Sequence, residues 1–166
     1  MKAELLRVLQ VMSEVTHRMD LNEFAQSVGL SPDETLQTIQ DLAKTGYLKN
    51  SGGGFGITAK GKAVLKAQTP VSEDLEFKFY IEIGQPLGLS VKSLKEFYEA
   101  LKTLETASLE FHLSRGDFAN WVAAVLKDEA LAIDLEAARQ SQLQGESLRR
   151  RLISVIEKHV EAEALR

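Results

Sequence analysis

His112, Arg115, Asp117 and Asn120 fall within nine residues of one another, and Trp121 follows directly. An imidazole, a guanidinium, a carboxylate and an amide at that spacing suit a small binding pocket. Arginine supplies a planar, permanently charged fork, and tryptophan supplies a flat face for stacking. The ligand such a set would take is small and either anionic or aromatic. A purely structural role fits the same residues, and it is the favoured one. In it Asp117 caps a helix, Asn120 is that helix's third residue, Arg115 pairs with a nearby acid, and His112 bonds a backbone carbonyl at a helix end. Convergence on one cavity supports the pocket, whereas spending Asp117 and Asn120 on helix amides removes it.

Little else in the chain suggests catalysis. His17, His112 and His159 are expected in three separate helices, with no metal-ligand spacing. There is no cysteine, so no disulfide, thiolate metal site or thiol nucleophile. No Gly-x-Ser-x-Gly elbow is present, and the carboxylates show no marked pair. The expectation is a protein that is not an enzyme and carries no cofactor or metal. Arg115-Gly116-Asp117 matches a cell-adhesion tripeptide, which is taken as chance.

A second set of candidates lies nearer the N-terminus. Thr35, Gln37, Thr38 and Lys44 belong to one expected helix, and Lys49, Lys60, Lys62 and Lys66 follow it. Glutamine and threonine can read base edges, and lysines can neutralise phosphates. The elements that would position them are legible. Asp20 caps a helix over Leu21–Val28, and Gly29 makes a sharp turn. Ser31, Pro32 and Glu34 open the next helix with a capping box. Projected at 100° per residue, that helix turns Leu36, Ile39 and Ala43 to the core. Glu34, Gln37, Thr38, Asp41, Lys44 and Thr45 then face out. Glu34 and Asp41 oppose a phosphate backbone, and the lysines must outweigh them. Gly46 stops the helix. Tyr47-Leu48-Lys49 and Phe55-Gly56-Ile57-Thr58 read as two strands around a glycine-rich tip. Thr58 caps a final helix, Ala59 to Ala67.

The run LAKTGYLKNSGGGFGITAKGKAVL resembles the recognition-helix end, wing and following helix of winged-helix transcription regulators. The resemblance covers roughly residues 1–68. It implies a helix-turn-helix with a β wing, and a role in docking on DNA or, by reuse of the shape, on protein.

Composition tempers the DNA reading. The chain carries 20 Lys/Arg against 24 Asp/Glu, a net charge of −4. Through Thr69 there are eight basic and seven acidic residues, and from Pro70 onward twelve and seventeen. A nucleic-acid binder usually shows a basic stripe, so strong nonspecific binding is not expected. Site-specific binding by a homodimer stays open, with the two third helices about 34 Å apart. The N-terminus reads as an amphipathic helix start and not a signal peptide, and no apolar run is long enough to span a membrane. A cytoplasmic setting fits.

The sequence divides into a winged helix-turn-helix domain over 1–69 and a second, mostly helical domain over 70–166. In the second, Phe77, Phe79, Ile81 and Ile83 alternate with polar residues as one half-buried strand. With no second strand evident, its edge must pair with the wing, with the same strand across a homodimer, or with another protein. The dimer is favoured. Gly84 to Leu89 reads as a loop, and Ser90 as the cap of a helix with Leu94, Phe97, Tyr98, Leu101 and Leu104. Further helices carry Leu109 to His112, Phe118 to Leu126 after Asp117, and Leu131, Ile133 and Leu135 after Asp128. The last, with Leu148, Leu152, Val155, Ile156 and Val160, follows Gly145. It holds the one basic triplet, Arg149-Arg150-Arg151.

The stretch SLEFHLSRGDFANWVAAVLKDEALA resembles an uncharacterised domain family common in archaea. Phe111, His112, Arg115, Asp117, Phe118 and Trp121 carry its core, and Leu126, Asp128, Leu131 and Ala132 its continuation. The resemblance covers about residues 75–135 and implies no activity. The fold class expected is mainly α, with a small β wing and one extra strand. The leading function is a DNA-binding transcription regulator with a C-terminal dimerisation or sensory domain. The alternatives are a protein-interaction adaptor and a small-ligand binder using the region from His112 to Trp121.

Overall fold

The computed structural model describes residues 1–161 and Leu165. The described residues are mainly helical, with nine α-helices and two antiparallel sheets of two strands each. They divide into two compact units, Met1–Lys66 and Ala67–Arg166.

In the N-terminal unit, α1 (Ala3–Glu14) buries Val8 and Leu9. The Asp20 carboxylate accepts the Glu23 amide at 2.8 Å and starts α2 (Leu21–Val28). Gly29 ends α2 at φ 74°, where a Cβ would be strained. α3 (Pro32–Lys44) opens with both halves of a capping box. Glu34 N–H donates to Ser31 Oγ at 3.2 Å, and Ser31 N–H donates to Glu34 Oε2 at 3.0 Å. This pairing holds the Glu34 carboxyl below its ordinary pKa, first through the backbone bond and then through the side chain.

The buried stripe of α3 is Thr35, Ile39 and Leu42. Sequence projection turned the helix differently, with Leu36 and Ala43 inward. Leu36 is instead 41% exposed, and Ala43 is half-buried. The larger Leu42 occupies the core in place of alanine, which brings position 35 inward and turns 36 out. Thr35 tolerates burial because its hydroxyl donates to Ser31 O at 2.8 Å.

β1 (Leu48–Asn50) and β2 (Phe55–Ile57) form a hairpin with Leu48 opposite Ile57. Its tip is closed by Ser51 N–H donating to Gly54 O at 2.8 Å. α4 (Ala59–Gln68) begins at Thr58, whose hydroxyl oxygen accepts the Gly61 amide at 3.0 Å. Gly61 is there by necessity, since a Cβ would stand 2.3 Å from the Tyr47 carbonyl oxygen.

In the C-terminal unit the strand read at 77–83 is present as β3 (Phe77–Glu82). It has a partner in the segment read as a loop, β4 (Gln85–Val91). Pro86 and Gly88 hide β4 from a propensity reading. The register shifts beside Tyr80 accommodate these residues, as bulges do in edge pairs. Phe77 and Phe79 are buried, while Ile83, expected on the same face, sits in the turn and is 81% exposed.

α5 (Leu94–Thr103) is capped by Ser93, and the expected cap, Ser90, lies in β4. α6 (Thr106–Ser114), α7 (Asp117–Ala124), α8 (Glu129–Gln140) and α9 (Gly145–His159) complete the unit. Asp128 caps α8 by accepting the Leu131 amide at 3.0 Å. The rings of Phe77, Phe79, Phe97 and Phe118 form one cluster with centroids 5.0 to 6.4 Å apart. α9 packs on α5, α6 and α8 through Leu148, Leu152, Val155 and Ile156, so its apolar seam is core. Ile133 of α8 is 68% exposed and stands outside that core. Among the described residues, no helix is long and apolar enough to cross a membrane.

Candidate functional site

The corner between α6 and α7 brings all five predicted pocket residues to one place. His112, Arg115, Asp117, Asn120 and Trp121 line a single cleft of about 510 Å³ against β3. Gly116, at φ 75°, turns the chain sharply enough for both helices to face it. Asp117 is not the helix cap. Gly116 holds that position, and Asp117 is the first residue of α7. Its carboxylate is therefore available to side chains. Asp117 Oδ2 accepts from Arg115 Nε at 3.1 Å and lies 2.9 Å from His112 Nδ1. The arginine is thus turned so that its guanidinium lies 5.0 Å from the Phe111 ring centroid.

His112 is the structural centre of this corner. The Tyr80 amide donates to its Nε2 at 2.8 Å. That nitrogen must then hold a lone pair, which puts the neutral ring's proton on Nδ1, facing Asp117. Burial pushes the His112 pKa below its ordinary value. The Asp117 hydrogen bond and charge pull the other way, and Arg115 adds to the lowering. The Asp–His pair has the order of a catalytic relay, but the nitrogen that would face a nucleophile is occupied by backbone. His112 was expected to bond a backbone carbonyl. It accepts from a backbone amide instead, 32 residues away in sequence.

Ser108, one turn earlier on α6, donates to the Tyr80 carbonyl at 2.7 Å. The two side chains therefore satisfy both backbone groups of Tyr80 on the edge of β3 away from β4. This corrects the picture of a lone strand seeking a partner, because β4 takes one edge and α6 covers the other at its middle. The i, i+4 spacing of Ser108 and His112 was the signal that could have revealed it.

Other groups in the cleft are left with unused capacity. The side-chain amide of Asn120, the Lys78 ammonium and the terminal nitrogens of Arg115 make no hydrogen bond to any described residue. Trp121 offers no free donor, since its Nε1 donates to Leu75 O at 2.8 Å. Glu76, also in the lining, accepts from Ser90 Oγ at 3.1 Å. Lys78 and Tyr80 come from β3 and Glu76 from just before it, outside the motif, so the motif alone does not point to them.

The surface of α3 is arranged differently. Thr35 leaves the set of base readers, being fully buried. Gln37 Nε2 donates to Asp41 Oδ1 at 3.0 Å, and Thr38 Oγ1 donates back to Glu34 O at 2.8 Å. Lys60 Nζ donates to Thr45 O at 2.9 Å at the C-terminus of α3, and also lies 5.1 Å from the Tyr47 ring centroid. Lys44, Lys49, Lys62 and Lys66 are exposed. Leu36 and Leu21 open onto a groove of about 710 Å³ that Met12, Phe24 and Phe55 also line and to which none of these lysines contributes. Its lining includes Arg18 together with Asp20 and Glu23. His17, also in the lining, lies in the loop before α2 and not in a helix. No group of three His, Asp or Glu side chains among the described residues is placed to hold a metal ion.

The folded C-terminal unit and its α6–α7 corner correspond to a recognised family. Residues 72–166 match the model of DUF5752, a family of unknown function, and the chain belongs to that family. The match continues through α8 and α9, past the stretch that carried the sequence resemblance. Residues 15–64 match the model of the HemN C-terminal domain, under a third of the chain. The chain is also 31% identical over 90 residues to Arcadin-4 of Pyrobaculum calidifontis. That region is 54% of this chain and 11% of the relative, so the chain spans about a tenth of that protein's length. No solved structure matches the chain.

Proposed function

We propose that the chain is a non-catalytic binding protein whose N-terminal unit docks on an apolar segment of another protein. The observation that carries this reading is the outward turn of Leu36. A helix entering a DNA groove presents donors and cations, yet α3 presents Leu36, Asp33, Glu34 and Asp41 against one cation, Lys44 in its last turn, with Gln37 engaged by Asp41. Leu36 and Leu21 border an apolar groove large enough for side chains of a partner. The near balance of charge in the lining suits an apolar occupant better than a polyanion.

The test places a photo-crosslinking residue at Leu36 and, separately, at Lys62 in the full chain in its native cell. One discrete protein product from position 36, abolished by Phe55→Ala, is expected. Equal labelling from both positions, or labelling that Phe55→Ala leaves untouched, overturns the reading.

A second reading is a DNA-binding transcription regulator of winged-helix type, acting as a homodimer with the C-terminal domain for dimerisation or sensing. It is favoured by the exposed Lys44, Lys49 and Lys62, which lie at the end of α3, in β1 and in α4. Fluorescence anisotropy on random duplex and on the upstream region of its own gene distinguishes the two. The regulator reading expects tighter binding to the upstream region, weakened by salt and by Lys49→Gln. The docking reading expects no binding to either duplex at low salt.

A further inference from the structure

We propose that the cleft between β3 and the α6–α7 corner is a binding site for a small organic monoanion with a flat apolar body. This goes beyond the role assigned to the N-terminal unit and stands without it. Three exposed side chains that carry donors line it from two parts of the chain: Arg115 and Asn120 from the corner, and Lys78 from β3. None of the Lys78 ammonium, the Asn120 side-chain amide or the two terminal Arg115 nitrogens has an acceptor among the described residues.

Arg115 is prepared for this use. The Asp117 bond to Nε fixes one edge of the guanidinium, and the Phe111 ring lies beside its plane. The two terminal nitrogens then form a fork that matches the two oxygens of a carboxylate. Asp117 is in turn held by His112, which is buried and bonded at both ring nitrogens. The recognition group therefore rests on a rigid chain running back to the β3 backbone, which lowers the ordering cost of binding.

Charge selects the ligand further. Arg115 and Lys78 are balanced in the lining by Asp117 and Glu76. A cleft with no net charge does not compensate a phosphate dianion, whereas a monoanion meets two cations directly while Asp117 is engaged behind one of them. Tyr80, Phe111 and Trp121 supply apolar and aromatic wall, so the ligand's body is flat and apolar. The pocket volume suits a molecule of one or two rings.

The probe is benzoate, with benzamide as its neutral isostere and inorganic phosphate as the competing anion class. Binding is followed in the full chain by the side-chain amide resonances of Asn120 and the indole resonance of Trp121. Saturable shifts with benzoate are expected, with benzamide and phosphate each at least about tenfold weaker. Lys78→Gln and Arg115→Gln should each weaken benzoate by about tenfold. Lys78 is exposed and bonded to no described side chain, so its replacement leaves the fold in place and keeps the test decisive. Absence of a saturable benzoate shift overturns the proposal, as does a benzoate affinity unchanged by both substitutions. Equal binding of benzamide removes the anion site, and tighter binding of phosphate overturns the ligand class.

Discussion

Two polar clusters stood out in this chain, and the fold treats them in opposite ways. On α3 the polar residues spend their hydrogen bonds along their own helix: Gln37 on Asp41, Thr38 on Glu34 and Thr35 on Ser31. At the α6–α7 corner they spend them across the fold, from Asp117 through His112 to the backbone of β3. A self-satisfied helix face contributes little to the fold and loses little when altered. A buried chain of bonds between elements fixes their positions, and its loss exposes a backbone amide with nowhere to turn.

The largest expected effect follows from that difference. His112→Ala removes a ring in contact with Phe77 and Phe118, with centroids 4.9 and 5.5 Å away, and strands the Tyr80 N–H. A destabilisation of about 3 kcal/mol is expected, from cavity and unsatisfied amide together. Chemical denaturation measures it, and hydrogen exchange should locate it in Ala67–Arg166. A loss below about 1 kcal/mol would remove the contrast between the clusters.

Gly61→Ala is the matching test in the N-terminal unit. The new methyl meets the Tyr47 carbonyl at 2.3 Å and Ile57 Cγ1 at 2.9 Å, and a backbone atom cannot rotate away. Overpacking of about 1–3 kcal/mol is expected, even though alanine is the better helix former. Unchanged or raised thermal stability would mean that α4 has room to shift from the hairpin.

How much of this was legible in the sequence depended on whether the information was local. Caps were legible, because Asp20, Ser31, Thr58 and Asp128 each act within a few residues of themselves. The five pocket residues were legible as a group because one tight turn gathers them. What they do was less so. The His112 acceptor role requires Tyr80, and the free donors include Lys78, both contributed by a strand far away in sequence. β4 was missed because proline and glycine are poor strand formers and only pairing with β3 overrides them. The α3 face was misread by about one position, since Leu36 and Leu42 compete for the core and periodicity alone cannot choose between them.

Acidification sharpens the comparison with a smaller and directional effect. Burial lowers the His112 pKa in the folded state below its unfolded value near 6.5. The unfolded chain then binds the proton more readily than the folded one. Stability should therefore be complete above about pH 6.5, and fall as the pH drops from there toward the folded-state pKa. Urea midpoints measured between about pH 7.5 and 5 should show this decline, and His112→Gln should flatten it. A decline of the same size in the variant would assign it to other groups.

The smallest effects are expected on the surface of α3 and at its C-terminal end, and their smallness is the prediction. Lys60→Met deletes a bond from an exposed ammonium to the Thr45 carbonyl, at a helix end that water can also satisfy. A cost of about 0.5 kcal/mol is expected. Gln37→Ala removes an exposed pair with Asp41 on a helix where alanine is intrinsically favoured, so its stability change should be near zero. If Gln37→Ala instead destabilised the N-terminal unit as much as Gly61→Ala, the α3 surface would be part of the scaffold. The outward polar face would then be no more open to a partner than the buried corner around His112.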